Sequence, residues 1–188
     1  VGKTQLIKKY LESTNENVLQ LNGEDLNDAR LLEERSVSNY TKLLKNVSIL
    51  VIDEAQNIKD IGVILKLIVD TIDNIKVIAT GSSMFDLANK LGEPLVGRKN
   101  TLFLFHLSQI EFSQFENYKQ TTENLEERLL YGCYPEVTHY ESWKEKQEYL
   151  REIVNSYLLK DILIFDGIKN ADKIYDLLRL IAFQVGKE

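Results

Sequence analysis

Val47-Ser48-Ile49-Leu50-Val51-Ile52-Asp53-Glu54 is a short, almost continuous apolar run that ends in two carboxylates. Successive side chains of a strand face opposite sides, so a run that is apolar on both sides reads as a strand buried on both faces. Strands of this kind belong to parallel sheets covered by helices. Open α/β sheets bind their ligands at the carboxyl edge of the strands, which is where this run delivers Asp53 and Glu54. The acidic pair has two readings, a cap for the helix that follows or a pair of acids that handle a metal and a water.

Outward from this strand the chain alternates. Residues 17–21 read as a strand, 26–34 and 40–44 as helices, 60–72 as a helix, 76–80 as a strand, 84–91 as a helix and 101–105 as a strand. Alternation of this kind marks a parallel sheet covered on both faces. After residue 106 the strand pattern stops. Apolar residues then recur at helical spacing, at Ile110, Phe112 and Phe115 and again at Leu125, Leu129 and Leu130, up to a break at Gly132-Cys133-Tyr134-Pro135. Pro135 forbids continuation of a helix and Gly132 suits its carboxyl-terminal cap. An amphipathic stretch follows over 142–164, with Leu150, Ile153, Val154, Tyr157, Leu158 and Ile162 on one stripe, and a last helix carries Ile174, Leu177, Leu178, Ile181 and Val185. Such stripes read as core or lid.

At the start of the chain, Val1-Gly2-Lys3-Thr4 reads as the closing half of G-x-x-x-x-G-K-[ST], the phosphate-binding loop. In that loop backbone N–H groups wrap the phosphates, the lysine neutralises the β/γ-phosphates and the Ser/Thr hydroxyl ligates Mg²⁺. The bland alternative is an ordinary helix N-terminus. Leu6, Ile7, Tyr10 and Leu11 supply the buried stripe of a helix beginning at the lysine, whose positive end faces any anion in the loop. With Gly2, Lys3 and Thr4 upstream, the acidic pair reads as a Walker B motif, Asp53 holding Mg²⁺ through its water shell and Glu54 polarising the attacking water as general base. The 76–80 strand runs into Gly81-Ser82-Ser83. Ser82 and Ser83 fit either a polar sensor of the γ-phosphate or lytic water, or N-caps for the 84–91 helix.

Among 188 residues, 44% are hydrophobic and 28% charged, enough for one sizeable core and a small appendage. A net charge of -6 argues against a large sequence-independent nucleic-acid footprint, which shows as a basic face or stripe. The single cysteine, Cys133, permits neither an internal disulfide nor a four-cysteine metal site, in keeping with a reducing, cytoplasmic setting. The longest apolar stretches, 48–52 and 61–69, fall well short of the roughly 20 residues of a membrane span.

Taken in order, Gly-Lys-Thr, Ile-Asp-Glu-Ala-Gln (52–56), Ala-Thr-Gly-Ser-Ser (79–83), Leu-Val-Gly-Arg (95–98), His-Leu-Ser-Gln-Ile-Glu-Phe (106–112) and Gly-Cys-Tyr-Pro-Glu (132–136) resemble the AAA+-type P-loop ATPases common in archaea and bacteria. In these proteins an N-terminal ATPase domain precedes a C-terminal domain of unknown function. The resemblance covers residues 1 to about 165. It implies an α/β fold with a parallel additional-strand P-loop NTPase sheet followed by a helical C-terminal extension. The parts would be an incomplete ATPase core at 1–107, a lid-like helical segment at 108–140, and a linker helix with the start of a further domain at 141–188. It further implies ATP and Mg²⁺ as ligands, ATP hydrolysis as the activity, and Arg98 as the arginine that contacts the γ-phosphate in cis or in a neighbour. A protein partner or a homo-oligomer stays open.

The resemblance also implies a strand before the loop, lying centrally between the 76–80 and 101–105 strands, and the sequence begins after it. The chain as it stands is therefore expected to be a fragment or a truncated product and to bind ATP weakly, because losing three charge-assisted N–H donors costs about 4 to 9 kcal/mol. Alternatives are a non-catalytic interaction module that keeps the fold, and a nucleic-acid-dependent ATPase. Two geometric expectations follow from the ATPase reading. The 48–52 and 76–80 strands should be parallel neighbours, and Lys3, Asp53, Glu54 and Ser82 should converge on one pocket.

Overall fold

Strands β1 (Val18–Asn22), β2 (Ile49–Asp53) and β3 (Lys76–Ala79) form a parallel sheet in the order β1-β2-β3 in the computed structural model, which describes residues 2–81, 95, 97–158 and 171–184. The register pairs Asn22 with Asp53 and Ile52 with Ala79, so all three strands end at one edge. The expected parallel neighbours are thus present, each strand displaced by no more than a residue from its sequence-based bounds. Ile49, Leu50, Val51 and Ile52 are all buried, as a strand covered on both faces requires.

One face of the sheet holds the core. Leu50 and Ile52 meet Leu21 of β1 and the inward side chains of α2 (Leu26–Glu33), α3 (Val37–Leu43) and α4 (Ile61–Thr71), among them Leu32, Tyr40, Ile61, Ile64 and Ile68. Asp25 caps α2 and Ser36 caps α3, each accepting from backbone N–H groups of the first turn. Burial raises the Tyr40 phenol above its ordinary pKa, and its hydroxyl donates to the Leu32 carbonyl at 2.7 Å. Helix α1 (Lys3–Glu12) begins at the expected lysine, but its stripe is only partly covered: Ile7 and Leu11 are half-buried while Leu6 and Tyr10 are exposed.

Residues 101–105 are a correction. They form no strand, and Leu102, Phe103, Leu104 and Phe105 are exposed. A strand exists only by virtue of a neighbour's ladder, and among the described residues no strand pairs with the outer edge of β3. The 84–91 helix lies outside the described residues.

The chain divides into two compact units, residues 2–104 and residues 105–188. The second contains, among the described residues, helices α5 (Gln109–Phe112), α6 (Tyr118–Glu123), α7 (Leu125–Tyr131), α8 (Trp143–Ile153), which passes into a π-helical turn (Val154–Leu158), and α9 (Ala171–Gln184). Reciprocal capping boxes start three of them, Ser108 with Glu111, Asn117 with Gln120 and Ser142 with Glu145. Gly132 ends α7 at φ 75°, a backbone state that favours glycine. Two segments singled out in the sequence meet here: Leu107 N–H donates to the Cys133 carbonyl at 3.0 Å, and the rings of His106 and Tyr134 lie 4.0 Å apart. Arg128 sits over the Phe112 ring at 3.9 Å and pairs with Glu116, and Lys146, itself buried, pairs with Glu127. Among the described residues no helix is long and apolar enough to cross a membrane.

Candidate functional site

Because the sheet is parallel and in register, the residues that follow each strand collect at its carboxyl edge, and backbone bonds fasten them there. Gly23 N–H donates to the Asp53 carbonyl at 2.8 Å, Thr80 N–H to the Ile52 carbonyl at 2.9 Å, and Ala55 N–H to the Thr80 carbonyl at 2.8 Å. A Cβ on Gly23 would stand 2.3 Å from the Glu54 carbonyl oxygen, so the chain after β1 can pass this close only without a side chain. Glu54 itself holds a left-handed conformation, φ 49°, at the exit from β2. For a residue with a Cβ this is a strained backbone, sustained by the bonds on either side.

Onto this edge α1 brings its first residues. Gly2 caps it at φ 77°, and Leu6 N–H donates to the Gly2 carbonyl at 3.0 Å. Thr4 Oγ1 lies 3.2 Å from Asp53 Oδ2, and Lys3 Nζ donates to the Gly81 carbonyl at 2.6 Å. Asp53 Oδ1 accepts from Thr80 Oγ1, which in turn accepts from Glu54 N–H at 3.4 Å. The Glu54 carboxylate accepts from Gln56 Nε2 at 2.5 Å.

Of the residues expected from sequence, Lys3, Thr4, Asp53 and Glu54 therefore come together, together with the strand end that leads to Gly81. Ser82 and Ser83 lie outside the described residues. Arg98 is not brought to this edge. It pairs with Asp70 in the last turn of α4, a helix that starts just after the edge and leads away from it. Thr80 and Gln56 were not anticipated. Both are 8% exposed and bonded to the acidic pair, contacts set by strand register and by a turn, neither of which residue type alone announces.

The arrangement suits a phosphate ester carried with a divalent cation. A hydroxyl and a carboxylate side by side are the kind of hard oxygen donors Mg²⁺ takes from a protein when phosphates and waters complete its octahedron. An ammonium group and the first turn of a helix beside them provide for the phosphate charge.

Residues 1–113 match the AAA domain family, and residues 122–188 match a domain of unknown function, DUF8612. The chain belongs to the AAA domain family. The site assembled from Lys3, Thr4, Asp53, Glu54 and Thr80 falls wholly within that AAA domain, which is by family a nucleotide-binding domain. Over 197 residues the chain is 25% identical to an uncharacterized protein of Methanocaldococcus jannaschii, covering 96% of this chain and 44% of that protein. It thus spans less than half the length of that relative. No solved structure matches.

Proposed function

We propose that this AAA domain binds ATP with Mg²⁺ and hydrolyses it. The observation that carries the reading is the 3.2 Å approach of Thr4 Oγ1 to Asp53 Oδ2, which joins the start of α1 to the end of β2 across 49 positions of sequence. Gly2 and Lys3 bind phosphate, the Lys3 ammonium exchanging the Gly81 carbonyl for a phosphate oxygen. Thr4 and Asp53 hold Mg²⁺. The bound ion would neutralise charge on the phosphate oxygens as the terminal phosphoryl group is transferred to water. Glu54 takes the proton of that water. Its Oε2 accepts from the Gln56 amide, which holds the carboxylate at this edge. Ser82 or Ser83 acts with Arg98 as sensor of the terminal phosphate, Arg98 in cis after leaving Asp70 or in a neighbouring copy. Residues 108–140 form a lid-like helical segment, and 141–188 a linker helix with the start of a further domain.

The test uses the full-length protein. Glu54→Gln should lower ATP hydrolysis by about 100-fold or more while ATP still raises the melting temperature, since a general base contributes on the order of 10²–10⁴. Lys3→Ala should abolish both. Absence of any ATP-dependent stabilisation in the parent protein would sink the reading.

A further inference from the structure

Thr80 is the first residue after β3, and its backbone is held on both sides, its N–H by the Ile52 carbonyl at 2.9 Å and its carbonyl by Ala55 N–H at 2.8 Å. The side chain has little choice of position as a result. Its hydroxyl oxygen receives the Glu54 N–H at 3.4 Å. An N–H can only donate, so that bond takes a lone pair of the hydroxyl, and the hydroxyl proton goes to Asp53 Oδ1. One oxygen of the Asp53 carboxylate is thereby committed to β3. The other, Oδ2, is left on the side of Thr4. A carboxylate without such a tether also visits rotamers that turn it away from the metal, and the metal's affinity falls by the fraction of time spent in them.

We propose that Thr80 is a positioning residue that fixes the Asp53 carboxylate with Oδ2 toward the divalent cation. This rests on the ATPase reading and adds to it a residue that does not touch the ion. The same hydroxyl, by accepting the Glu54 N–H, couples the backbone of the proposed base to the ligand beside it. Hydrogen-bond partners that orient metal ligands commonly carry a 10- to 100-fold share of metal affinity, although they make no bond to the metal.

Three full-length proteins decide the matter: the parent, Thr80→Val, which keeps the shape and loses the hydroxyl, and Thr80→Ser, which keeps the hydroxyl. The melting temperature is followed at saturating ATP while Mg²⁺ is titrated, and amide exchange at Glu54 is measured without nucleotide. Thr80→Val should need about tenfold more Mg²⁺ to reach half of the ATP-dependent shift. Its Glu54 amide should exchange faster, and Thr80→Ser should return both quantities close to those of the parent. Circular dichroism in the absence of ligand confirms that each variant is folded. A parent that shows the shift and a Thr80→Val protein with an unchanged Mg²⁺ midpoint overturn the proposal alone. A parent that shows no ATP-dependent shift overturns the ATPase reading and the proposal with it.

Discussion

Residues 2–104 bury Leu32, Tyr40, Ile49, Leu50, Ile52, Ile58, Ile61 and Ile68 completely, whereas the buried side chains described after residue 104 are Phe112, Val137 and Lys146. One of those three is a cation. In the first unit the apolar run at 49–52 and the apolar face of α4 became interior. In the second, Ile110, Phe115, Tyr118, Leu129, Leu130 and Trp143 lie exposed, while ion pairs and capping boxes hold the helices in register. A strand paired on both sides gathers its apolar neighbours from three helices at once, and a short helix covers little more than one stripe. The two units therefore differ in what would undo them.

Leu50→Ala should have the largest effect, about 3–4 kcal/mol, because it opens a cavity at the centre of the sheet. Urea unfolding followed by amide exchange in β2 measures it, and a loss under about 1 kcal/mol would show that the first unit does not depend on its core. Next comes Glu116→Ala in the second unit, at about 2–3 kcal/mol, since Arg128 is then mostly buried without its carboxylate. The same pair sets an acid response. Arg128, by its hydrogen bond to Glu116, holds that carboxyl below its usual range. The unfolded chain then takes up the proton first. The stabilisation is complete above the unfolded value of about 4.3 and is lost as pH falls below it. Thermal melts of the second unit should steepen their decline there, and Glu116→Gln should flatten it. An equal acid response in the variant would assign the effect elsewhere. Smallest is Ser142→Ala, about 1 kcal/mol, from loss of the cap that starts α8. Its effect should appear as faster exchange in the first turn of that helix, with β2 unaffected.

The sheet was legible because 48–52 is apolar on both faces and the Lys76–Ala79 strand precedes a glycine, and the acidic pair was legible because it ends such a run. What stayed hidden depends on partners. Thr80 reads as the last residue of a strand until the register sets it beside Asp53, 27 positions away in sequence. Gln56 closes the 52–56 motif with no role of its own until the turn after β2 folds it back on Glu54. The stripe of α1 was visible, but periodicity tells which side chains align and not how fully they are covered, so Leu6 is found 59% exposed. Residues 101–105 have the composition of a strand and, among the described residues, no ladder to join. Composition is a property of one segment; pairing is a property of two.

That last stretch matters to the chain as a solute. Leu102 and Phe105 are 92% and 80% exposed, and from Thr101 to Phe105 there is neither a charge nor a proline. Uncharged, β-prone runs of this kind are what stack between molecules, and the outer edge of β3, which pairs with no strand among the described residues, offers a matching surface. Crowding such molecules together, or adding a salt excluded from apolar surface, strengthens that stacking. Solubility is thus tied to five residues that take no part in the proposed chemistry, and a lysine in place of Leu102 is the kind of gatekeeper that natural sequences set beside such runs.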